Sequence, residues 1–240
     1  MEKKYKLTEE TIEVNGITLY RIEAVRDFAN IKKGDKGGFI ENEKNLSQRG
    51  DCWVYENAKV YGKARVFDKT KVRNEAKVLD DAVVYGNARV YDNAKVCGNA
   101  EICSNAQVFG NAEICGDAEI TSNSDYIVFK NWWSSGRFFT WTRSNNMWKV
   151  GCFYGTGKEL IEKAYKDSEI SGREYKKVVG YVNSIKDNKY NHVRKNIKEI
   201  LKDYLIPIYQ FDDSKQFNKL NEFTKILIEG ELVGIVENTE

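Results

Sequence analysis

The sequence predicts a mainly β protein: a parallel β-helix of about four coils, with a β cap at its N-terminal end and an α+β domain after it. Three observations predict it. Twelve six-residue units run from Val54 to Asp125 without insertion or deletion, each opening on Val or Ile. A small residue follows four places on (Ala58, Ala64, Thr70, Ala76 and onward to Ser124), and a corner-forming Gly, Asn, Asp or Ser stands between the two. At Asp125 the period stops and the composition changes. A fixed period over so many units is the signature of a solenoid. The chain of 240 residues divides on this basis into residues 1–50 (cap and lead-in), 51–125 (repeats) and 126–240 (α+β domain).

The first segment carries a hairpin signal. Thr11 to Val14 and Ile17 to Tyr20 flank Asn15-Gly16, a pair suited to a two-residue turn with both backbone angles left-handed. A solenoid end exposes unpaired strand edges, so a cap is needed there. The turn-rich stretch from Lys33 to Gly38 leads into Phe39 and Ile40, expected cap residues.

In the repeats, Val60 to Arg65 shows the logic of the unit. A strand alternates sides, so an Ala and the Val two places later point the same way. Gly62, Asp68, Asn74, Gly86, Asp92, Gly98, Ser104, Gly110, Gly116 and Ser122 tolerate left-handed angles and permit a bend. Three bends close a coil of about 18 residues, stacked on the next at about 4.8 Å. Residues eighteen apart then superpose: Val54, Val72, Val90, Val108; Val60, Val78, Val96, Ile114; and Val66, Val84, Ile102, Ile120. Outside, Tyr55, Tyr91 and Phe109 share a column interrupted by Arg73, and Lys59, Lys77 and Lys95 share another that ends at Glu113. These stripes are either solvated faces or a binding face with charge polarity.

Beyond Asp125, three β-like runs (Tyr126 to Phe129, Arg137 to Arg143, Met147 to Phe153) predict an antiparallel meander. Thr156 to Glu159 and Ser171 to Glu174 both match a capping box and mark two helix starts. A third helix is expected around Tyr190 to Tyr204, a fourth over Ser214 to Leu227, and a short strand over Glu231 to Val236.

The repeat run resembles the left-handed β-helix of hexapeptide-repeat proteins, the superfamily of the trimeric acyltransferases. Its Val-Tyr-Gly-Asn-Ala-Lys units, with Gly37 to Ile40 and Asp51 to Val54 before them, look most like members found in bacteria and their phages. The resemblance implies left-handedness and a possible homo-oligomer. The usual enzyme repeat places Gly directly after the aliphatic residue, whereas here it comes one place later.

Chemistry-bearing motifs are sparse. The formal charge is +2, which does not mark a dedicated nucleic-acid protein. The N-terminus lacks the apolar run of a signal peptide and no stretch approaches the roughly 18 apolar residues of a membrane span, so a cytoplasmic protein without a membrane partner is expected. The five cysteines form no Cys-x-x-Cys pair and read as small packing residues in a reducing compartment. The superfamily's enzymes commonly use a histidine base; the single histidine, His192, lies outside the repeats. Gly155 to Lys158 lacks the rest of a phosphate loop. Asp80 and Asp81 point apart on a strand and do not share a metal. No catalytic residue, metal or cofactor is expected, and the chain reads as a non-enzyme.

The binding candidates are Trp132, Trp133, Arg137, Trp141, Arg143 and Lys149, where aromatic faces alternate with cations that suit nucleotides or protein hot spots. Alternatively, these aromatics are the core of a small sheet. Lys59, Lys77, Lys95, Tyr55 and Tyr91 form a second candidate face on the solenoid. The expected function is a non-catalytic, phage- or prophage-type binding protein that engages a host factor, such as a defence component, or a small nucleotide-like ligand. The alternatives are an acyltransferase with an atypical base and a nucleic-acid- or nucleotide-binding protein.

Overall fold

The computed structural model describes residues 3–186. Residues 3–179 belong to the first of the two units into which the chain divides, with the boundary at Gly180. The two helices and the strand expected after Tyr190, and His192 with them, lie outside the described residues.

The first unit is built on a left-handed parallel β-helix. Its N-terminal strands are β1 (Tyr5–Val14), β2 (Ile17–Ala24) and β3 (Lys36–Ile40). Asn15 and Gly16 have φ of 53° and 79°, the turn that this pair favours, and Val14 faces Ile17 across it. Twelve two-residue rungs follow: β4 (Trp53–Val54), β5 (Lys59–Val60), β6 (Arg65–Val66), β7 (Lys71–Val72), β8 (Lys77–Val78), β9 (Val83–Val84), β10 (Arg89–Val90), β11 (Lys95–Val96), β12 (Glu101–Ile102), β13 (Gln107–Val108), β14 (Glu113–Ile114) and β15 (Glu119–Ile120). They stack as β4-β7-β10-β13, β5-β8-β11-β14 and β6-β9-β12-β15. The register pairs Val54 with Val72, Val60 with Val78 and Val66 with Val84, so the three interior columns stand as the eighteen-residue spacing predicts.

The corners explain the composition. The third residue of the repeat is left-handed at Glu56, Gly62, Asp68, Asn74, Asp80, Gly86, Asp92, Gly98, Ser104, Gly110 and Gly116. Where that residue is Asp, its carboxylate accepts the N–H of the corner one coil on: Asp68 from Gly86 (3.1 Å), Asp80 from Gly98 (3.0 Å) and Asp92 from Gly110 (3.1 Å). The side chain thereby offsets part of the cost of the strained angle. The alanines two residues on, from Ala64 to Ala112, are fully buried and leave room for the aliphatic column.

One more coil precedes the regular ones. β3 runs parallel to β5, pairing Ile40 with Val60, and Leu46 bridges Val66. These partners are twenty apart rather than eighteen, so two extra residues sit in this coil. Gly38 lies so close to the next coil that a Cβ there would come within 2.5 Å of the Ala58 carbonyl. Asn45, fully buried, plugs the open end: its Nδ2 donates to the carbonyls of Gly62 (3.0 Å) and Ala64 (2.9 Å). Lys4 is also fully buried, and its Nζ donates to the Cys52 carbonyl at 2.8 Å and lies 3.3 Å from Cys52 Sγ. Burial holds the Lys4 amine below the usual lysine range and pushes the Cys52 thiol up.

The far end is closed by the meander, β16 (Tyr126–Lys130), β17 (Phe138–Thr142), β18 (Met147–Val150) and β19 (Phe153–Gly155), in that order in the sheet. The third expected strand is thus two, because Val150 and Phe153 pair across a tight turn with Gly151 left-handed. The last coil's free amides find side-chain acceptors: Gln107 N–H on Asn123 (2.9 Å), Glu113 N–H on Thr140 (3.0 Å) and Glu119 N–H on Ser144 (2.8 Å). Helix α1 (Gly157–Asp167) starts at the expected capping box, with Thr156 Oγ1 accepting from Glu159 N–H at 3.3 Å and Glu159 accepting from Thr156 N–H at 2.8 Å. Helix α2 (Glu169–Lys186) starts earlier than the second box implied. Ser168 Oγ accepts the Ser171 N–H at 3.1 Å, so Ser171 lies inside the helix. No described helix is long and apolar enough to cross a membrane.

The cysteines correct one expectation. Cys97 and Cys115, eighteen apart and so one above the other with Cα atoms 4.6 Å apart, form a disulfide; Cys52, Cys103 and Cys152 are free. Stacked coils bring residues that are distant in sequence into bridging range, which a search for local cysteine pairs does not detect.

Candidate functional site

Lysine side chains at the first position of three rungs build one wall of a cleft. Lys59, Lys77 and Lys95 are in register on β5, β8 and β11, and Glu113 follows on β14. Like charges directly opposite on a sheet repel, so the ladder needs counter-charges. Lys59 has one: its Nζ is 3.2 Å from Glu75, which also accepts from Asn57 at 2.8 Å. Those hydrogen bonds, Asn57's first, hold the Glu75 carboxyl below the usual carboxylate range. Glu113 faces Lys149 at 4.0 Å. Lys77 and Lys95 have no carboxylate within salt-bridge distance among the described residues.

The other wall comes from the meander. Arg137, Phe138 and Gly151 overhang the ladder and, with Asn93 and Asn111, complete a cleft of about 520 Å³. That volume is within the usual range for a small-molecule site. Four cations line it against two carboxylates, Glu75 and Glu113. Arg137 and the lysine ladder, separate candidates in the sequence, therefore meet in one place. Phe138, 41% exposed, joins them; it belongs to a strand whose other aromatics point into the sheet core. Its missed signal is its position beside Arg137, one residue out of phase with the buried Phe139.

The remaining candidates are placed elsewhere. Trp141 is buried in the meander core, with Nε1 donating to Asn146 at 3.1 Å. Trp133 packs edge-on against Tyr175 at 5.0 Å, while Trp132 is 77% exposed on the turn. Arg143 donates from Nε to the Ser124 carbonyl at 3.3 Å and approaches the Trp141 ring at 5.7 Å. Lys149 donates to the Gly151 carbonyl, beside Glu113. Tyr55 and Tyr91 stand on a different face. Arg73, expected to interrupt their column, continues it: its guanidinium lies 4.4 Å from the Tyr55 ring, and Tyr91 stacks on Phe109 at 5.3 Å. The described residues contain no group of three or more His, Cys, Asp or Glu placed to hold a metal.

No family model matches the chain. The chain is 33% identical over 66 residues to a protein of Escherichia coli (strain K12) named "Uncharacterized acetyltransferase YdcK"; the likeness covers 24% of this chain and 20% of the relative. The chain thus spans about a fifth of that relative's length. The repeat architecture and this distant likeness fit the hexapeptide-repeat β-helix superfamily. They also correct the expectation of a non-enzyme. A relative named as an acetyltransferase points to a possible enzyme, and the lack of a histidine within the repeats does not exclude catalysis.

Proposed function

We propose that the chain is a ligand-binding β-solenoid whose site is the basic cleft between the lysine ladder and the meander, and that its ligand is a small anionic, nucleotide-like molecule. The observation that carries this reading is the pair Lys77 and Lys95. Their half-buried side chains are stacked one coil apart in a cleft that Arg137 also lines, and neither makes a salt bridge among the described residues. An anion in that space relieves the repulsion between them and gains charge-assisted hydrogen bonds. Calorimetry of the full chain at low salt against sulfate, citrate and inorganic pyrophosphate tests it. Heat with any of these, lost in the Lys77→Glu/Lys95→Glu variant, supports the site; no heat with any of them overturns it. The sequence resemblance extends the reading to a phage- or prophage-type protein that engages a host factor as a homo-oligomer. A pull-down from host lysate with native mass measurement tests that extension.

A second reading, acetyl transfer, is favoured by the name of the bacterial relative. Under it the same cleft seats the acyl donor, and a carboxylate takes the proton from the acceptor. Of the two carboxylates in the cleft, Glu75 is already bonded to Asn57 and Lys59, which leaves Glu113, 4.0 Å from Lys149, for that task. Turnover of acetyl-CoA that Glu113→Gln abolishes, with donor binding kept, supports this reading; absence of acetyl-CoA binding removes it.

A further inference from the structure

The charge pattern of the cleft specifies its anion more narrowly. We infer that the ligand is a nucleoside diphosphate, with its two phosphates on Lys77, Lys95 and Arg137 and its base on Phe138; this rests on the binding reading above. The ladder is flanked by acid. Glu75, two residues before Lys77 on the same coil, is paired with Lys59, and beyond Lys95 Glu113 follows in register. What remains is two ammonium groups carried on adjacent coils whose backbones stack about 4.8 Å apart. A longer polyanion running along the column meets Glu113 beyond Lys95 and, toward Lys59, a lysine already paired with Glu75, so the pattern selects two adjacent phosphates and disfavours a nucleic-acid backbone, which draws affinity from many phosphate contacts.

The organic end is specified by Phe138. It lines the same cleft and follows Arg137 in the chain. It stays 41% exposed in a sheet that buries Phe139, Trp141 and Trp148, and Lys130 approaches its ring at 5.8 Å. An accessible ring beside a phosphate-binding cation is the arrangement on which a base stacks. Asn93 and Asn111, one coil apart on the cleft wall, offer amide donors and acceptors for sugar hydroxyls.

Calorimetry of the full chain at low ionic strength, with inorganic phosphate, inorganic pyrophosphate, adenosine diphosphate and a single-stranded oligonucleotide as probes, tests the inference. Pyrophosphate is expected to bind at least about tenfold tighter than phosphate, since a second charge-assisted contact is added. Adenosine diphosphate is expected to gain about another five- to tenfold from stacking. Phe138→Ser removes that last gain and leaves pyrophosphate affinity unchanged, whereas Lys95→Ala weakens both. The oligonucleotide is expected to bind no tighter than pyrophosphate. Equal affinity for phosphate and pyrophosphate, no gain from the nucleoside, or a tighter oligonucleotide each overturns the diphosphate assignment and leaves the small-anion site standing. Silence with every probe removes both.

Discussion

Asn45 performs the work of a missing coil, and that role gives a quantitative prediction. In the regular coils, corner carbonyls accept backbone amides from the coil before: Gly98 from Asp81 at 3.0 Å and Ala100 from Val83 at 2.9 Å. At the N-terminal end the equivalent carbonyls, Gly62 and Ala64, receive both donors from the single Nδ2 of Asn45, while its Oδ1 accepts from Asn42 N–H at 2.9 Å. Asn45→Leu fills similar space but leaves those groups without partners. A buried polar group without a partner costs about 1–3 kcal/mol. Allowing for the apolar area that leucine adds, the net loss is about 3–5 kcal/mol, or roughly 6–20 °C in Tm for a chain of this size. Asn45→Asp aims a carboxylate at two carbonyl oxygens, which raises its folded pKa above the unfolded value. That variant is therefore least stable at neutral pH and gains stability as pH falls through the raised pKa. Thermal and urea unfolding followed by far-UV circular dichroism at pH 7 and pH 5 measures both. If neither substitution moves Tm by more than about 2 °C, Asn45 is not the plug of the solenoid.

Other expectations follow from the same geometry. At the corners, Gly110→Ala meets no atom within 4 Å and carries only the left-handed strain, about 1–2 kcal/mol, whereas the Cβ of Gly98→Ala comes within 2.7 Å of the Gly116 amide nitrogen and costs more; equal Tm losses contradict the stacked-corner packing. Denatured but unreduced protein is expected to titrate three thiols (Cys52, Cys103 and Cys152) and five after reduction, and reduction is expected to remove about 3 kcal/mol, as for a closed loop of this length; five thiols before reduction disprove the Cys97–Cys115 link. Asp125 is buried, which alone raises its carboxyl, yet the hydrogen bonds from Thr121 and Ser122, at 2.8–2.9 Å, hold it below the usual range. Its contribution is thus present above about pH 4 and lost as pH falls through the lowered folded value. Asp125→Asn is expected to flatten the acid limb of the Tm–pH curve, and an unchanged limb contradicts the assignment.

The repeat made the solenoid legible because the hexads satisfy the same constraints: an aliphatic residue inward, a small residue at the narrow corner, and a left-handed residue between in all but the last, where Ser122 is extended (φ −148°) and the period ends. The coil of Ile40 and Leu46 was hidden because its two extra residues break the period, and because Asn45 rather than a valine rung completes its bonding. Helix α1 was readable from Thr156 and Glu159. The start of α2 was not, since Ser168 ends one helix and caps the next, leaving no spacer for a pattern to mark. Of the site, the lysine ladder was visible as a column of spacing eighteen. Its meeting with Arg137 was not, because which side of the triangle the meander overhangs depends on tertiary packing that the repeat does not encode. Trp141 shows the same limit from the other side: a tryptophan between cations suits a stacking surface and a sheet core equally, and the strand phase placed it in the core.

The disposition of the two walls has a consequence for how such a chain can change length. The core is indifferent to the number of turns, since any eighteen residues can be removed or duplicated between the plug at Asn45 and the last coil without disturbing a single aliphatic contact type. A change of six is different. It would advance the winding by one side of the prism, carrying Lys59 and Lys77 round to an adjacent side while Arg137 stayed with the terminal turn. The molecule therefore behaves as a vernier. Growth in whole turns slides the cationic wall along the axis, while growth in thirds dials it out of alignment with its opposite jaw, so that a gain or loss of segments that keeps the coil packing is still quantised for binding.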